Sequence, residues 1–220
     1  MDENILEFNG VKKEYKDAET IVVSLNGINF KFIKNSLNLI NGFTGSGKTT
    51  IFNLITLMDI PTQGNIFLDD VILSGLSTSE RTILRRKKIG SFLRCGNLMP
   101  YLSVLENVML PMITNDSKKA LKILEIVGLS DKIDAFPEDL SSYEKQTTAL
   151  ARAMINDPLI IVADEPFGDL DDENTLKLIK LLNKIKNKTL FIILSDSDYL
   201  KQCFDRVLIL KNGKIVENKN

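Results

Sequence analysis

The sequence predicts an α/β domain with an antiparallel sheet at its N-terminal end and a helical insertion through its middle. Three patterns carry that prediction. Apolar positions alternate between residues 5 and 35, as antiparallel strands with one covered face require. Two continuous apolar runs, Leu159 to Ala163 and Leu190 to Leu194, mark strands buried on both faces. Between Pro100 and Leu150 the apolar residues recur at helical spacing.

Taken in order, Ile5, Leu6 and Phe8, then Ile21, Val22, Val23, Leu25, Ile28, Phe30 and Phe32, read as short strands. Leu37 to Ile40 is a short apolar run that stops at a glycine-rich turn. From Thr49 the period lengthens, and Ile51, Phe52, Leu54, Ile55 and Leu57 predict a helix ending before Pro61. Ile66 and Leu68 restore alternation, and residues 79–88 read as a basic helix or turn. Leu102, Leu105, Val108 and Met109 form one helical stripe; Leu121, Leu124, Ile126 and Val127 form another, stopped by Gly128. Leu176, Ile179, Leu182 and Ile185 predict a later helix. Val207 to Leu210 and Ile215-Val216, joined by Asn212-Gly213, predict a hairpin with a primed turn.

Composition removes several chemistries. The 220 residues carry 28 Lys+Arg against 29 Asp+Glu, a net charge of −1, so bulk electrostatic binding of nucleic acid is not expected. There is no histidine, which excludes imidazole bases and His-ligated zinc. Cys95 and Cys203 are far apart and form no metal or redox motif, which fits a reducing compartment. Cys95 reads as a small apolar filler. The richest apolar run, Leu190 to Leu194, is far shorter than a bilayer span, and Met1 to Asn4 lacks the features of a signal peptide.

The strongest motif is Gly42-Phe43-Thr44-Gly45-Ser46-Gly47-Lys48-Thr49, a G-x-x-x-x-G-K-T that follows an apolar run and opens a helix. Its glycines let backbone amides wrap a phosphate chain, and the helix start adds positive potential. Lys48 is then expected at the β- and γ-phosphates and Thr49 at Mg²⁺. A second motif, Ile160 to Glu165, is an apolar strand ending in carboxylates. Asp164 is expected to hold Mg²⁺ through water, and Glu165 to orient or deprotonate the attacking water. No guanine-specific Asn-Lys-x-Asp follows a strand, which disfavours a GTPase.

In this order the motifs resemble the nucleotide-binding subunit of an ATP-binding cassette (ABC) transporter, most like the lipoprotein-release, macrolide-export and cell-division types. The resemblance covers essentially the whole chain. It implies a P-loop NTPase (RecA-like) core with a parallel sheet, an antiparallel β subdomain at the N-terminal end, and a helical signature subdomain. The core is expected over residues 1–93 and 154–220, and the helical part over 94–153. ATP and Mg²⁺ are the implied cofactors. Tyr15 falls where the family stacks an aromatic on adenine. Gly42, Thr44, Gly45, Ser46, Gly47, Lys48, Thr49 and Thr50 fall on the phosphate loop and its helix, Ser141 on the signature, and Asp171 on the D-loop.

The departures are specific. Arg94 stands where the family has the Q-loop glutamine, with phosphate, an acidic permease residue or solvent as its open partners. Leu140-Ser141-Ser142-Tyr143-Glu144 replaces the glycine-bearing signature, and Thr147 replaces an arginine in its helix. Ser195 replaces the switch histidine and is the expected partial substitute at the γ-phosphate. Tyr143 is expected to reshape closure across the signature. Losing one well-aimed transition-state donor costs about 10²–10³ in rate. The resemblance therefore implies an ATPase weak by itself. It would dimerise, preferably with a more complete sister subunit, and drive an integral membrane permease through residues between Ile89 and Glu106. Its expected location is cytoplasmic, on the inner face of the membrane. An ATP-gated regulatory module without transport is the alternative. Arg85 to Lys88 read as a solvated basic face, with anionic headgroups as the second reading.

Overall fold

The computed structural model describes residues 4–17, 20–94, 96–114 and 116–219, so the reading of Cys95 lies outside the described residues. Two sheets organise the chain. The first is antiparallel, in the order β2-β1-β4-β5, from β1 (Asn4–Asp17), β2 (Thr20–Ile33), β4 (Gln63–Leu68) and β5 (Val71–Ile72). The second runs β10-β9-β3-β8-β7-β6, from β3 (Leu37–Asn41), β6 (Ile89–Leu93), β7 (Ile160–Asp164), β8 (Leu190–Ser195), β9 (Arg206–Lys211) and β10 (Lys214–Lys219). Five of its strands are parallel, and β10 returns antiparallel along one edge.

The first two strands are not short. Each has 14 residues, because the breaks in alternation at Asn9-Gly10 and Asn26-Gly27 are bulges within a single ladder. Gly10 and Gly27 take φ of 59° and 74°, which absorbs the extra residue while pairing continues. The closing hairpin follows the sequence: Asn212 and Gly213 both have positive φ, as a primed turn demands.

The continuous apolar runs follow from two apolar layers, one on each face of the parallel sheet. Ile160, Val162, Leu190, Ile192 and Leu194 join the core shared with the antiparallel sheet and α1 (Lys48–Ile55). The alternate residues Ile161, Ala163, Phe191 and Ile193 join the opposite layer, with α5 (Ser142–Met154) and α6 (Asp172–Ile185). A strand with apolar partners on both sides has no polar alternation to show.

A third apolar cluster joins α3 (Val104–Met109), α4 (Ser117–Val127) and α5. Leu102, grouped with the α3 stripe in the sequence, lies in the turn before the cap. Capping boxes start three helices: Ser77 with Glu80 before α2 (Thr78–Lys88), Ser103 with Glu106, and Ser141 with Glu144. The helical cluster sits close to the sheet at Gly90, where a Cβ would run into the carbonyl oxygen of Ala153.

The basic end of α2 is not simply solvated. Arg86 donates to the carbonyl oxygens of Pro111 (3.3 Å) and Met112 (2.6 Å), and Arg85 to that of Leu57 (3.5 Å). Two of its four cations therefore tie α2 to neighbouring chain segments.

Candidate nucleotide site

Register places the candidate residues. Asn41 pairs with Ser195, Asp164 with Leu194, and Leu93 with Asp164. The phosphate loop, both carboxylates, Ser195 and Arg94 therefore emerge together at the carboxyl end of the parallel sheet, where open α/β sheets bind ligands.

The loop from Gly42 to Gly47 joins β3 to α1. Gly47 is the N-cap of α1 at φ 110°, with no side chain capping the first helical amides. Those amides are thus presented to an anion. A Cβ on Gly47 would come within 2.8 Å of the Ser24 carbonyl, and one on Gly42 within 2.6 Å of the Leu210 carbonyl. The turn between β9 and β10 supports the loop, with the Gly213 amide donating to the Ser46 carbonyl at 3.0 Å. Among the described residues the buried Ser46 hydroxyl has no partner.

Lys48, Thr49, Asp164 and Glu165 line a cleft of about 330 Å³ with Ser24 and Thr44. Lys48 is 8% exposed, and its Nζ donates to the Gly42 carbonyl at 2.5 Å and pairs with Glu165 Oε1 at 3.2 Å. Thr49 Oγ1 donates to Asp164 Oδ2 at 3.1 Å. Burial pushes the Asp164 carboxyl above its ordinary range, and the Thr49 hydroxyl and the Lys48 charge oppose that shift. A neutral hydroxyl beside a carboxylate, both hard oxygen donors, fits Mg²⁺ completed by phosphate and water. Among the described residues no cluster of three His, Cys, Asp or Glu side chains offers an all-protein metal cage.

Glu165 stands in the left-handed region at φ 48°, unusual for a residue with a side chain. Its amide donates to the Leu194 carbonyl at 2.9 Å, which turns its carboxyl back toward the loop. Ser195 is 1% exposed, and its hydroxyl donates to Glu165 Oε2 at 3.1 Å. The serine expected at the γ-phosphate thus touches the candidate base.

The remaining candidates do not line the cleft, although the Tyr15 hydroxyl reaches Thr50, which does. Tyr15 is 37% exposed on β1, opposite Val22 and two positions from the strand residue Ser24 that lines the cleft. Ser141 and Asp171 are the N-caps of α5 and α6. Ser141 bonds Glu144, and Asp171 accepts from the Asn174 amide at 2.8 Å. Neither lines the cleft of its own chain. Tyr143, partly buried, packs against the apolar layer that holds α5 and α6, and burial raises its hydroxyl pKa against the opposing charge of Lys177. Thr147 is buried, donating to the Tyr143 carbonyl at 2.6 Å.

Arg94 has a partner that sequence reasoning missed. Its Nε and Nη2 donate to Asp169 Oδ1 at 2.9 and 2.6 Å, with the guanidinium lying over Gly168. No local spacing announces a contact across 75 positions. Ser24 was also missed; its only signal is a polar residue in an otherwise apolar stretch of β2, and it bonds Thr50 at 2.6 Å.

A family profile described as ABC transporter matches residues 25–168. The chain belongs to the ABC transporter family. It is an ATP-binding ATPase subunit of that family, of the lipoprotein-release and macrolide-export kind. The lipoprotein-releasing system ATP-binding protein LolD of Wigglesworthia glossinidia brevipalpis is 37% identical over 219 residues, covering 96% of each chain. The macrolide export ATP-binding/permease protein MacB of Bdellovibrio bacteriovorus is 33% identical over 96% of this chain but only 33% of its own length. Among solved structures, the cassette MJ0796 of Methanocaldococcus jannaschii is similar in a dimeric post-hydrolysis state bound to ADP and Pi. Its TM-score is 0.87 at 31% identity, covering 98% of both chains. The P-loop NTPase α/β fold, with its parallel and antiparallel sheets, stands as the resemblance implied. Among the described residues no helix is long and apolar enough to cross a membrane.

Proposed function

We propose that this ABC subunit binds MgATP in the cleft between Lys48 and Glu165, closes on it as a dimer, and transmits that closure to a membrane permease. The observation that carries the reading is the convergence of four groups on one cleft: uncapped α1 amides, Lys48, the Thr49–Asp164 pair and Glu165.

Mg²⁺, when bound, would spread the charge of the β- and γ-phosphates, held by the Thr49 hydroxyl and, through water, by Asp164. Lys48 leaves Glu165 for the phosphates, which offer a denser negative charge. Glu165, still held by Ser195, takes the proton of the attacking water. Amides of the α1 start and the loop hold the transferred phosphoryl group in place. Tyr15 supplies a ring for the adenine, and Ser141 and Asp171 meet nucleotide only across the dimer.

Turnover by the chain alone is proposed to be slow, because no imidazole stands at the switch position and the signature lacks its glycines. A sister subunit with an intact signature is the preferred partner. The helical part, proposed as residues 94–153, pairs with a core of 1–93 and 154–220. The permease is proposed to dock on residues between Ile89 and Glu106, of which Ile89, Gly90, Asn97 and Met99 help to line a groove of about 490 Å³. The subunit then works at the cytoplasmic face of the membrane.

The test is light scattering on Glu165→Gln with MgATP. A nucleotide-dependent dimer, lost in Lys48→Ala, supports the reading; a monomer in saturating MgATP, alone and with the sister subunit, rejects it. Rapid hydrolysis by the unmodified chain alone would reject the weak-turnover part.

A further inference from the structure

Besides the hydrogen bond between its hydroxyl and Thr50 of α1, Tyr15 is tied to the chain that follows the phosphate loop by two residues outside the motifs named above. Its hydroxyl donates to Asp59 Oδ2 at 3.0 Å. Asp59 lies four residues beyond α1, and its amide returns to the Asn53 carbonyl of that helix at 3.1 Å. The second carboxylate oxygen accepts from Lys13 Nζ at 2.5 Å and from the Ile60 amide at 2.7 Å. Lys13 also donates to the Ile60 carbonyl at 2.9 Å, and its ammonium lies 4.9 Å from the centre of the Tyr15 ring.

This lysine is 9% exposed. A buried ammonium under an aromatic face is costly unless its hydrogen bonds are met, and here two of them are. One face of the ring is therefore occupied by a cation while 37% of the residue stays open to solvent. The hydroxyl anchor and the cation together restrict the rotamers of a side chain that would otherwise move freely near a hairpin end. Removing that freedom before a ligand arrives lowers the cost of stacking on it.

We propose that Lys13 and Asp59 are positioning residues that hold Tyr15 as a platform for the nucleobase and so set affinity for the base, not for the phosphates. The proposal rests on the reading that Tyr15 stacks on adenine. Both residues act through the ring, and neither touches the nucleotide.

Calorimetry on the full chain separates the two ligand halves by comparing ATP with inorganic tripolyphosphate. Tyr15→Ala is expected to weaken ATP about tenfold, the scale of one lost base–aromatic stack. Asp59→Asn, Lys13→Met and Tyr15→Phe are each expected to weaken it about threefold, with tripolyphosphate affinity unchanged throughout. Asp59→Asn added to Tyr15→Ala should cost nothing more. Unchanged ATP affinity in both Asp59→Asn and Tyr15→Phe overturns the positioning role. Equal losses for ATP and tripolyphosphate in those variants overturn it too. Unchanged ATP affinity in Tyr15→Ala overturns the stacking reading itself.

Discussion

Ser195 donates its hydroxyl to Glu165 across 3.1 Å. With Lys48 at 3.2 Å from the other carboxylate oxygen, Glu165 is gripped at both ends. The same serine anchors the phosphate loop, because its backbone carbonyl accepts from the Gly42 amide at 3.3 Å and from the Asn41 side chain at 3.3 Å. Ser195 thus links the loop that holds phosphate to the group that handles water. Ser195→Ala should lower kcat about three- to tenfold, the worth of one ordinary hydrogen bond, and leave KM alone. A matching loss of nucleotide affinity would instead mark the hydroxyl as a phosphate ligand. Ser195→His should raise turnover about tenfold or more if a missing donor limits the rate.

Asp164 makes folding sensitive to pH in an unusual direction. Burial raises its pKa above that of a free aspartate despite Thr49 and Lys48. Between the ordinary value and the raised one, the native chain binds more protons than the unfolded chain. The contribution of this group is therefore present at low pH and is lost as pH rises through that window. Urea unfolding at a series of pH values should show the fall, and Asp164→Asn should flatten it. An unchanged profile in the variant would count against the burial argument.

Arg94 and Asp169 tie the chain after β6 to the loop before α6. The arginine side chain is 58% exposed, so the pair is worth about 0.2–1 kcal/mol and is screened by salt. A double-mutant cycle with Arg94→Gln and Asp169→Asn should return a coupling of that size in low salt and nearly none at about 1 M. Additive single effects in low salt would show that the two side chains are independent in solution.

Gly90 should tolerate no side chain. Gly90→Ala must part β6 from α5 and is expected to cost about 1–3 kcal/mol by denaturant unfolding. Gly75→Ala, where a Cβ meets nothing within 4 Å, is the matched control and should be near neutral. Equal effects at both positions would mean that the close approach does not limit stability.

Most of the fold was legible because its signals are local. Apolar runs, the helix stop at Gly128 and Asn212-Gly213 act over a few positions, and the buried strands, α4 and the closing hairpin formed where they pointed. The long strands β1 and β2 were misread for the same reason: a bulge breaks local alternation while the ladder continues. The phosphate loop and its carboxylates were legible because their chemistry demands particular residue types at fixed spacing. Partners across the sheet were not. Arg85 and Arg86 look solvated until the carbonyls that they meet are brought beside them.

Residue type and spacing alone established a phosphate cradle at Gly42 to Thr49, two carboxylates at the end of β7, and the absence of any imidazole. Only packing decided what Ser195, Arg94 and Tyr15 meet, at sequence separations of 30, 75 and 44. Side chains that far apart in the chain share no local pattern: the parallel sheet brings Ser195, Glu165 and Arg94 to one end, while the antiparallel sheet and the chain after α1 bring Tyr15 to Asp59.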